Sequence, residues 1–275
     1  MKRCETAIAV LVLLSFLAGA ALYPRLPEQM ASHWNAQGQV DDYLPRFWGV
    51  FLLPLVLTAL WLLFVAIPRI DPLRENIAAF RRHYDRLVLV ITLFMLAVYA
   101  HTLLWSLGIQ LGTNYLMCAL TGLLLFFVGV TLQHAKRNWF VGIRTPWTLS
   151  SDIVWQKTHR LGARLFKLTG LLALLGLLLP AFAIYLVLVP VVTASIVIVV
   201  YSYFCYQAME MEWWLNPRRG RCGPRLPAGR APDSGARLPP TRNPVPCRDV
   251  ASPARMIGLR SASARALGQR AAPAA

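Results

Sequence analysis

The stretch LFKLTGLLALLGLLLPAFAIYLVLVPVVTASIVIVVYSYFCY, residues 165–206, decides the fold of this chain. It holds 42 residues and a single charged side chain, Lys167. One helix of that length would be about 63 Å long, which is twice the hydrocarbon thickness of a bilayer. The block therefore predicts two membrane spans joined by a tight turn near residues 180–184.

Four more apolar segments precede this block, at residues 6–22, 47–67, 86–107 and 112–133. The chain is 57% hydrophobic and only 15% charged, whereas soluble domains are about a quarter charged. Apolar runs near twenty residues are typical of transmembrane helices. The sequence thus predicts an all-α, polytopic transmembrane bundle with six spans in the cell inner (plasma) membrane, in direct contact with the lipid bilayer.

The distribution of Lys and Arg predicts how the bundle is oriented. The connectors 68–86 and 134–167 carry five and seven basic residues, while the connector 23–46 carries two. Basic loops remain on the cytoplasmic side of a membrane. Both termini and the two basic connectors are therefore predicted to be cytoplasmic, and the loop 23–46 is predicted to be external.

The charge and the cysteines exclude several classes of protein. Residues 217–275 contain 12 Arg and supply +10 of the net charge of +16. That segment is rich in Arg, Pro and Ala, so it is predicted to be a disordered tail. The remainder lacks a basic face for direct nucleic-acid binding. Five cysteines without C-x-x-C spacing favour neither a disulfide framework nor a metal site, and no cofactor is predicted.

Composition divides the chain into three parts. Residues 1–67 form an N-terminal two-span unit with the external loop 23–46. Residues 68–216 form a four-span unit with the cytoplasmic loop 134–167, and residues 217–275 are the tail.

The richest connector lies at residues 138–162, between two apolar blocks. A Gly-Ile-Arg-Thr-Pro turn is followed by Ser150 and Ser151, either of which is a good helix N-cap, and then by a short helix predicted to lie at the membrane interface. Loops that are irregular but rich in functional side chains tend to carry activity. The candidate site residues here are Asn138, Trp139, Gly142, Arg144, Thr145, Pro146, Trp147, Ser150, Asp152, Trp155, Lys157, His159 and Arg160.

The external loop and the third span supply the remaining candidates. In the loop, the pattern His33-Trp34-Asn35, Gly38, Asp41-Asp42 combines turn chemistry with exposed charge. One His beside two adjacent Asp has no recognisable metal-ligand spacing. Within the spans, His101 is an ionisable candidate near the outer end of the third, predicted to be a neutral side chain bonded to a neighbouring helix or to water.

The connector residues Asn138–Ser150 and Trp155–Arg160 resemble the SdpI family of bacterial membrane proteins. The external His33, Trp34, Asn35, Gly38 and Asp41 resemble a short uncharacterised N-terminal domain common in that family. The resemblance covers residues 5–215 and implies a membrane protein that gives immunity against a secreted peptide toxin. The resemblance also implies a second role, that of the founding member of the family, as a receptor that holds a cytoplasmic transcriptional repressor at the membrane.

On this interpretation the external candidates face the toxin, and the connector 138–162 binds a cytoplasmic partner or braces the bundle. Two simpler interpretations stay open: the connector as an interfacial anchor and the external loop as a cap over the bundle. A transporter or channel is the alternative function, although no Asp, Glu, Lys or Arg lies in the middle of a predicted span. An orphan structural protein is another. Because His101 has no Ser-Gly motif within the spans to serve and the chain has no His-Glu-x-x-His motif, the chain is not predicted to be an enzyme.

Overall fold

The computed structural model describes the backbone of residues 2–215 and the side chains of residues 4–211. The predicted tail lies outside the described residues, and the residues up to Gln207 form one compact unit. The division at residues 67 and 216 stays a prediction. In chain order the elements are α1 (Lys2–Leu22), β1 (Gln29–Trp34), β2 (Val40–Pro45), α2 (Arg46–Ile70), α3 (Arg74–Ala79), α4 (Arg81–Ser106), α5 (Thr113–His134), α6 (Pro146–Ser150), α7 (Asp152–Leu175) and α8 (Ala183–Leu215).

Five of the described helices are long and apolar enough to cross a membrane, namely α1, α2, α4, α5 and α8. Their ends lie close to the predicted ones: α2 begins one residue before the predicted span, and α5 begins and ends one residue after it. The prediction of an all-α, multi-pass membrane bundle is confirmed.

Helix α7 occupies the position of the remaining predicted span and differs from the prediction. The short interfacial helix and the fifth span are one continuous helix of 24 residues. Residues 152–175 contain no proline, so nothing in the backbone interrupts them. Since the helix carries Lys157, Arg160, Arg164 and Lys167, only its last two turns, residues 168–175, are free of charge. A short 3-10 helix at Pro180–Phe182 then makes the predicted turn.

Helices α5 and α7 pack most closely at small residues. A Cβ atom added at Gly122 would lie 2.9 Å from the carbonyl oxygen of Gly170, and one added at Gly129 would lie 2.8 Å from that of Ala163. Small side chains let transmembrane helices approach until their backbones touch. The pair therefore forms a rigid support for the connector that joins them.

Widening this contact should destabilise the protein. A Cβ atom at Gly170 would lie 2.6 Å from the carbonyl oxygen of Gly122 and 2.7 Å from the amide nitrogen of Phe126. Because both are backbone atoms, they cannot rotate away. We expect Gly170→Val to cost about 1–3 kcal/mol and to lower the thermal midpoint measured by circular dichroism in detergent. Leu171→Val, at a side chain that is 52% exposed, is the control, and equal midpoints for both variants would contradict the packing.

A second cluster ties α1 and α4 together near residue 81. Arg81 Nε lies 2.7 Å from Asp85 Oδ1, and its Nη2 lies 3.1 Å from Glu5 Oε1. The Tyr84 hydroxyl donates to the Phe64 carbonyl oxygen of α2 at 2.7 Å. These partly buried polar contacts fix the ends of three spans against each other.

The predicted external loop contains a β-hairpin that the sequence did not reveal. Strands β1 and β2 pair antiparallel, with Gln29 opposite Pro45 and Trp34 opposite Val40. The turn follows the predicted chemistry: Asn35 Oδ1 accepts from the amides of Gln37 and Gln39, both at 3.0 Å, and Gly38 has φ +77°. Inside the hairpin, the fully buried Met30 packs on Gly49 of α2.

Helix α8 spans 33 residues and has an apolar surface on nearly every side. Most of its large side chains are exposed, which suits contact with lipid. Against the rest of the bundle it buries Ala194, Ile198 and Ser202. Pro190 lies inside the helix and removes one backbone hydrogen bond there.

Candidate functional site

The connector between α5 and α7, residues 135–151, is organised around a fully buried asparagine. Asn138 donates through Nδ2 to the carbonyl oxygens of Lys136 and Val141, both at 2.8 Å. Its Oδ1 accepts from the amides of Phe140 at 2.9 Å and Val141 at 2.6 Å. All hydrogen-bonding positions of the side chain are used inside the loop, so Asn138 shapes the turn and is not available to a partner.

Gly142 brings the returning chain against α7. It has φ +122°, and an added Cβ atom would collide with His159 Nε2. The next amide, that of Ile143, donates to the same Nε2 at 3.0 Å. Only a residue without a side chain fits both the backbone conformation and the close approach.

His159 and Trp155 form the buried side of this contact. Their rings stack with centroids 3.9 Å apart, and they are 2% and 1% exposed. Trp155 Nε1 donates to the Ala135 carbonyl oxygen at 2.9 Å. Since His159 Nε2 accepts from Ile143, its Nδ1 carries the proton and donates to the Trp155 carbonyl oxygen at 2.9 Å. Both ring nitrogens are satisfied only in the neutral form.

Burial lowers the pKa of His159 from 6.5 to about 4, partly opposed by the hydrogen bond to the Trp155 backbone. The unfolded chain takes up a proton at this residue near pH 6.5, whereas the folded chain does so only near pH 4. Stability should therefore fall as the pH drops from 6.5 towards 4, by about 3 kcal/mol from this one group.

A series of thermal unfolding curves between pH 7.5 and pH 4 in detergent tests this behaviour. His159→Gln should be less stable at neutral pH but should show a flatter pH dependence in that window. His33→Gln, at an exposed histidine, should keep the full dependence. If His159→Gln keeps the pH dependence of stability of the parent protein, the acid sensitivity belongs to another group.

Helix α6 begins with a capping box. Thr145 Oγ1 accepts from the Thr148 amide at 3.2 Å, and Thr148 Oγ1 accepts from the Thr145 amide at 2.8 Å. Pro146 occupies the first helical position, where its missing amide is not needed. Of the two predicted N-cap serines, Ser151 caps α7, while the Ser150 hydroxyl donates to the Trp147 carbonyl oxygen.

Trp147 links this short helix to α8. Its Nε1 donates to the Ser202 hydroxyl at 2.7 Å, and its ring meets Tyr203 edge-on with centroids 5.6 Å apart. Ser202 is fully buried. Trp147 therefore holds the last helix against the connector.

Two residues that sequence reasoning missed connect the N-terminal spans to the connector. Asp71 is 2% exposed, and its Oδ2 accepts from the Trp139 amide at 2.9 Å while its Oδ1 accepts from the Leu73 amide at 2.6 Å. Asn76 Nδ2 donates to the Arg137 carbonyl oxygen at 2.8 Å. The available signal was an isolated Asp between Ile70 and a proline at the end of a span, which more often indicates a solvated helix end.

Ion pairs and backbone contacts complete the connector. Arg137 Nε lies 3.0 Å from Asp152 Oδ1, and its Nη1 donates to the Leu149 carbonyl oxygen at 2.9 Å. Arg144 donates to the Trp139 carbonyl oxygen. Asp152 is thus held by an arginine from the start of the same connector.

The candidate residues predicted at positions 138–162 fall into two groups in the structure. One group faces inwards or is tied to the bundle: Asn138, Gly142, Thr145, Trp147, Trp155 and His159. The other is exposed: Trp139, Arg144, Pro146, Ser150, Asp152, Lys157 and Arg160. Trp139 is 50% exposed and Ile153, next to Asp152 in the chain, is 57% exposed, so this second group is the part of the candidate set that is open to a partner.

At the opposite end of the bundle, the hairpin presents charged and aromatic side chains. His33 Nδ1 lies 2.6 Å from Asp41 Oδ1, and both side chains are exposed. The exposed Asp42 accepts from the Tyr43 amide at 2.8 Å. The candidate residues His33, Asp41 and Asp42 thus lie together on the open surface of the hairpin.

Below the hairpin lies an aromatic cluster of Trp34, His101 and Trp105. The ring centroids of Trp34 and His101 are 5.1 Å apart, and those of Trp34 and Trp105 are 5.8 Å apart. His101 is 1% exposed, and its Nε2 lies 3.1 Å from the Thr113 hydroxyl of α5, a neighbouring helix. Trp34 and His101 therefore join the hairpin to the bundle.

A groove of about 380 Å³ lies beside the hairpin turn. It is lined by Gln37 and Gly38 of the hairpin, by Trp105 and residues 110–115, and by Pro180 before α8. The amide side chain of Asn114 donates to the Ala36 carbonyl oxygen at 3.3 Å across its edge. Within the described residues, no group of three His, Cys, Asp or Glu side chains could hold a metal ion.

Comparison with known proteins agrees with this architecture. Residues 10–58 match a domain of unknown function, DUF1648, and residues 134–202 match the SdpI/YfhL protein family. The chain is 26% identical over 211 residues to the immunity protein SdpI of Bacillus subtilis (strain 168), an alignment that covers 76% of this chain and 99% of that protein. No solved structure matches the chain.

The first matched region contains α1, the hairpin and the start of α2, and the second contains the connector, α7 and most of α8. The resemblance that the connector and the hairpin predict is thereby confirmed: this chain is a multi-pass membrane protein similar to the SdpI/YfhL family at residues 134–202 and to DUF1648 at residues 10–58.

Proposed function

We propose that this protein lies in the inner (plasma) membrane and protects its cell against a secreted, membrane-active peptide toxin. The observation that carries the proposal is the similarity to the immunity protein SdpI over 99% of that protein's length. The two matched regions coincide with the hairpin end and the connector end of the bundle, where the candidate residues cluster.

The hairpin has the chemistry to meet an amphipathic, cationic peptide. Exposed Asp42 lies next to Tyr43, which is 56% exposed, and Phe47 and Trp48 follow at 52% and 48%. Acidic charge attracts a cationic peptide over a distance, while aromatic rings bind its apolar face. The basic connectors at the other end of the bundle support an external position for this surface.

Complementation tests the proposal. A Bacillus subtilis strain without its own SdpI, carrying this chain, should survive conditioned medium from toxin-secreting cells, whereas the same strain with an empty vector should die. The double variant Asp42→Asn/Tyr43→Ala should reduce survival, and Tyr185→Ala, at another exposed tyrosine, should not. Equal killing with and without the parent chain, at confirmed membrane expression, would refute the immunity function.

A receptor role is the second part of the proposal, in which the connector recruits a cytoplasmic transcriptional repressor. The exposed Trp139 and Arg144, which are joined by a hydrogen bond, support it, because tryptophan and arginine are enriched among the residues that dominate binding at protein interfaces. Toxin-dependent co-purification with a repressor encoded beside the gene tests this role. Trp139→Ala/Arg144→Gln should abolish the co-purification and leave survival unchanged, and co-purification unaffected by this variant would refute the docking surface.

A further inference from the structure

Four basic side chains form a stripe along α7. Lys157, Arg160, Arg164 and Lys167 follow each other at spacings of three, four and three residues, which places them on one face of a helix. The first three are exposed, and the fourth is half-buried. At 1.5 Å per residue the stripe is about 15 Å long.

Contacts with α5 show how deep the stripe lies. Lys167 Nζ donates to Gln133 Oε1 at 2.8 Å, one residue before the end of α5. Ala163 and Lys167 pack against Gly129, a further turn inside that span. At the other end, Trp155 reaches Ala135, the residue that follows α5. The stripe therefore crosses the end of the α5 span, with Lys157 outside it and Lys167 within it.

The sequence offers few acidic residues near the stripe. The salt bridges observed among the described side chains use Glu5, Asp41, Asp85 and Asp152, and pair them with partners outside the stripe. Asp152, the acidic residue of α7, is taken by Arg137. The four cations lie at a membrane edge, where anionic groups of the surroundings can supply counter-charge.

Helix α8 lies near the face of α7 that carries the stripe. Tyr201 lies within electrostatic range of both Arg160 and Arg164, and Tyr203 rests against Trp147 of α6. Basic residues at the basic end of a transmembrane bundle suit acidic lipid headgroups. Guanidinium groups also bind phosphate with two parallel hydrogen bonds.

We propose that the stripe Lys157–Arg160–Arg164–Lys167 on α7 binds the phosphate headgroups of anionic phospholipids. A soluble acidic protein fits less well, because Arg164 and Lys167 lie level with the last turns of a membrane span. Long basic side chains at that depth reach the headgroup layer along the helix. Lys157 and Arg160 also belong to the exposed group of candidate residues, but the docking variant Trp139→Ala/Arg144→Gln leaves the stripe intact, so the two proposals are tested separately.

The test uses the full chain in nanodiscs and in detergent, with phosphatidylglycerol as the probe and phosphatidylcholine as the neutral lipid. Native mass spectrometry counts the lipids retained, and titration of the detergent-solubilised protein gives the affinity. With about 1 kcal/mol for each basic residue, Arg160→Gln/Arg164→Gln should weaken phosphatidylglycerol binding about 30-fold. Arg82→Gln/Arg86→Gln, which removes two exposed charges at the same end of the bundle but from α4, should change it little.

Each outcome decides the proposal. Equal retention of the two lipids, or equal loss in the two double variants, would overturn it by showing non-selective or diffuse binding. Displacement of phosphatidylglycerol by millimolar inorganic phosphate would assign the stripe to a free anion. Stripe-dependent binding of a poly-glutamate peptide at saturating phosphatidylglycerol would assign it to an acidic protein. Unchanged circular dichroism of both variants verifies that they fold.

Discussion

Gly142→Ala should be the most damaging small substitution in the described chain. The variant must adopt φ +122° with a side chain and must also move His159, whose Nε2 holds the Ile143 amide. Backbone strain and overpacking each cost about 1–3 kcal/mol. We expect a clear drop in the thermal midpoint in detergent, together with a change in tryptophan fluorescence, because Trp155 stacks on the displaced ring.

A second glycine separates the two causes. Gly108 has φ +89°, but an added Cβ atom would meet nothing within 4 Å. Gly108→Ala therefore carries the backbone strain without the collision. If the two alanine variants lose the same stability, the close approach of the connector to His159 contributes nothing.

Asp71→Ala should release the connector from the N-terminal spans. It leaves the amides of Trp139 and Leu73 without their acceptor in a site that is 2% exposed. A buried donor without a partner costs about 1–3 kcal/mol, and more when the lost partner is charged. Asp71→Asn should be harmful as well, because one of its two terminal groups is a donor and faces an N–H.

Hydrogen exchange locates this effect better than a global melting curve does. Peptides that cover residues 136–145 should exchange faster in Asp71→Ala, while those from the α5–α7 contact around Gly122 and Gly170 should stay protected. Asp42→Ala, which removes an exposed Asp that also accepts one backbone amide, is the control. Unchanged exchange in the connector would show that the buried carboxylate does not hold it.

Much of the fold follows from sequence, because membrane spans depend on hydropathy alone. The ends of α2 and α5 were predicted to within three residues on that basis, and the turn at Pro180–Phe182 follows from the length of the last apolar block. The sequence predicts two elements where α7 is one helix, because its charged part and its apolar part look like separate elements. The hairpin was missed since residues 29–34 and 40–45 show no clear alternation of apolar and polar side chains.

The candidate site was predictable as a region but not as a set of contacts. The sequence predicts that Gly142 shapes a turn. The atom that most closely excludes a side chain at this position belongs to His159, seventeen residues further along the chain. Asp71 lies far from the connector in sequence and was not a candidate. Such long-range hydrogen bonds depend on how spans pack, and local sequence patterns do not encode that packing. The functional roles of the hairpin and connector residues stay predictions.

Helix α8 connects the two ends of the bundle. Pro180 lines the groove beside the hairpin turn, and the helix that starts three residues later holds Ser202 against Trp147 of the connector. From Ala183 to Ser202 the helix rises about 29 Å, which is the thickness of the hydrocarbon layer. One helix, with Pro190 in its first half, therefore contacts both the groove end and the connector end of the bundle.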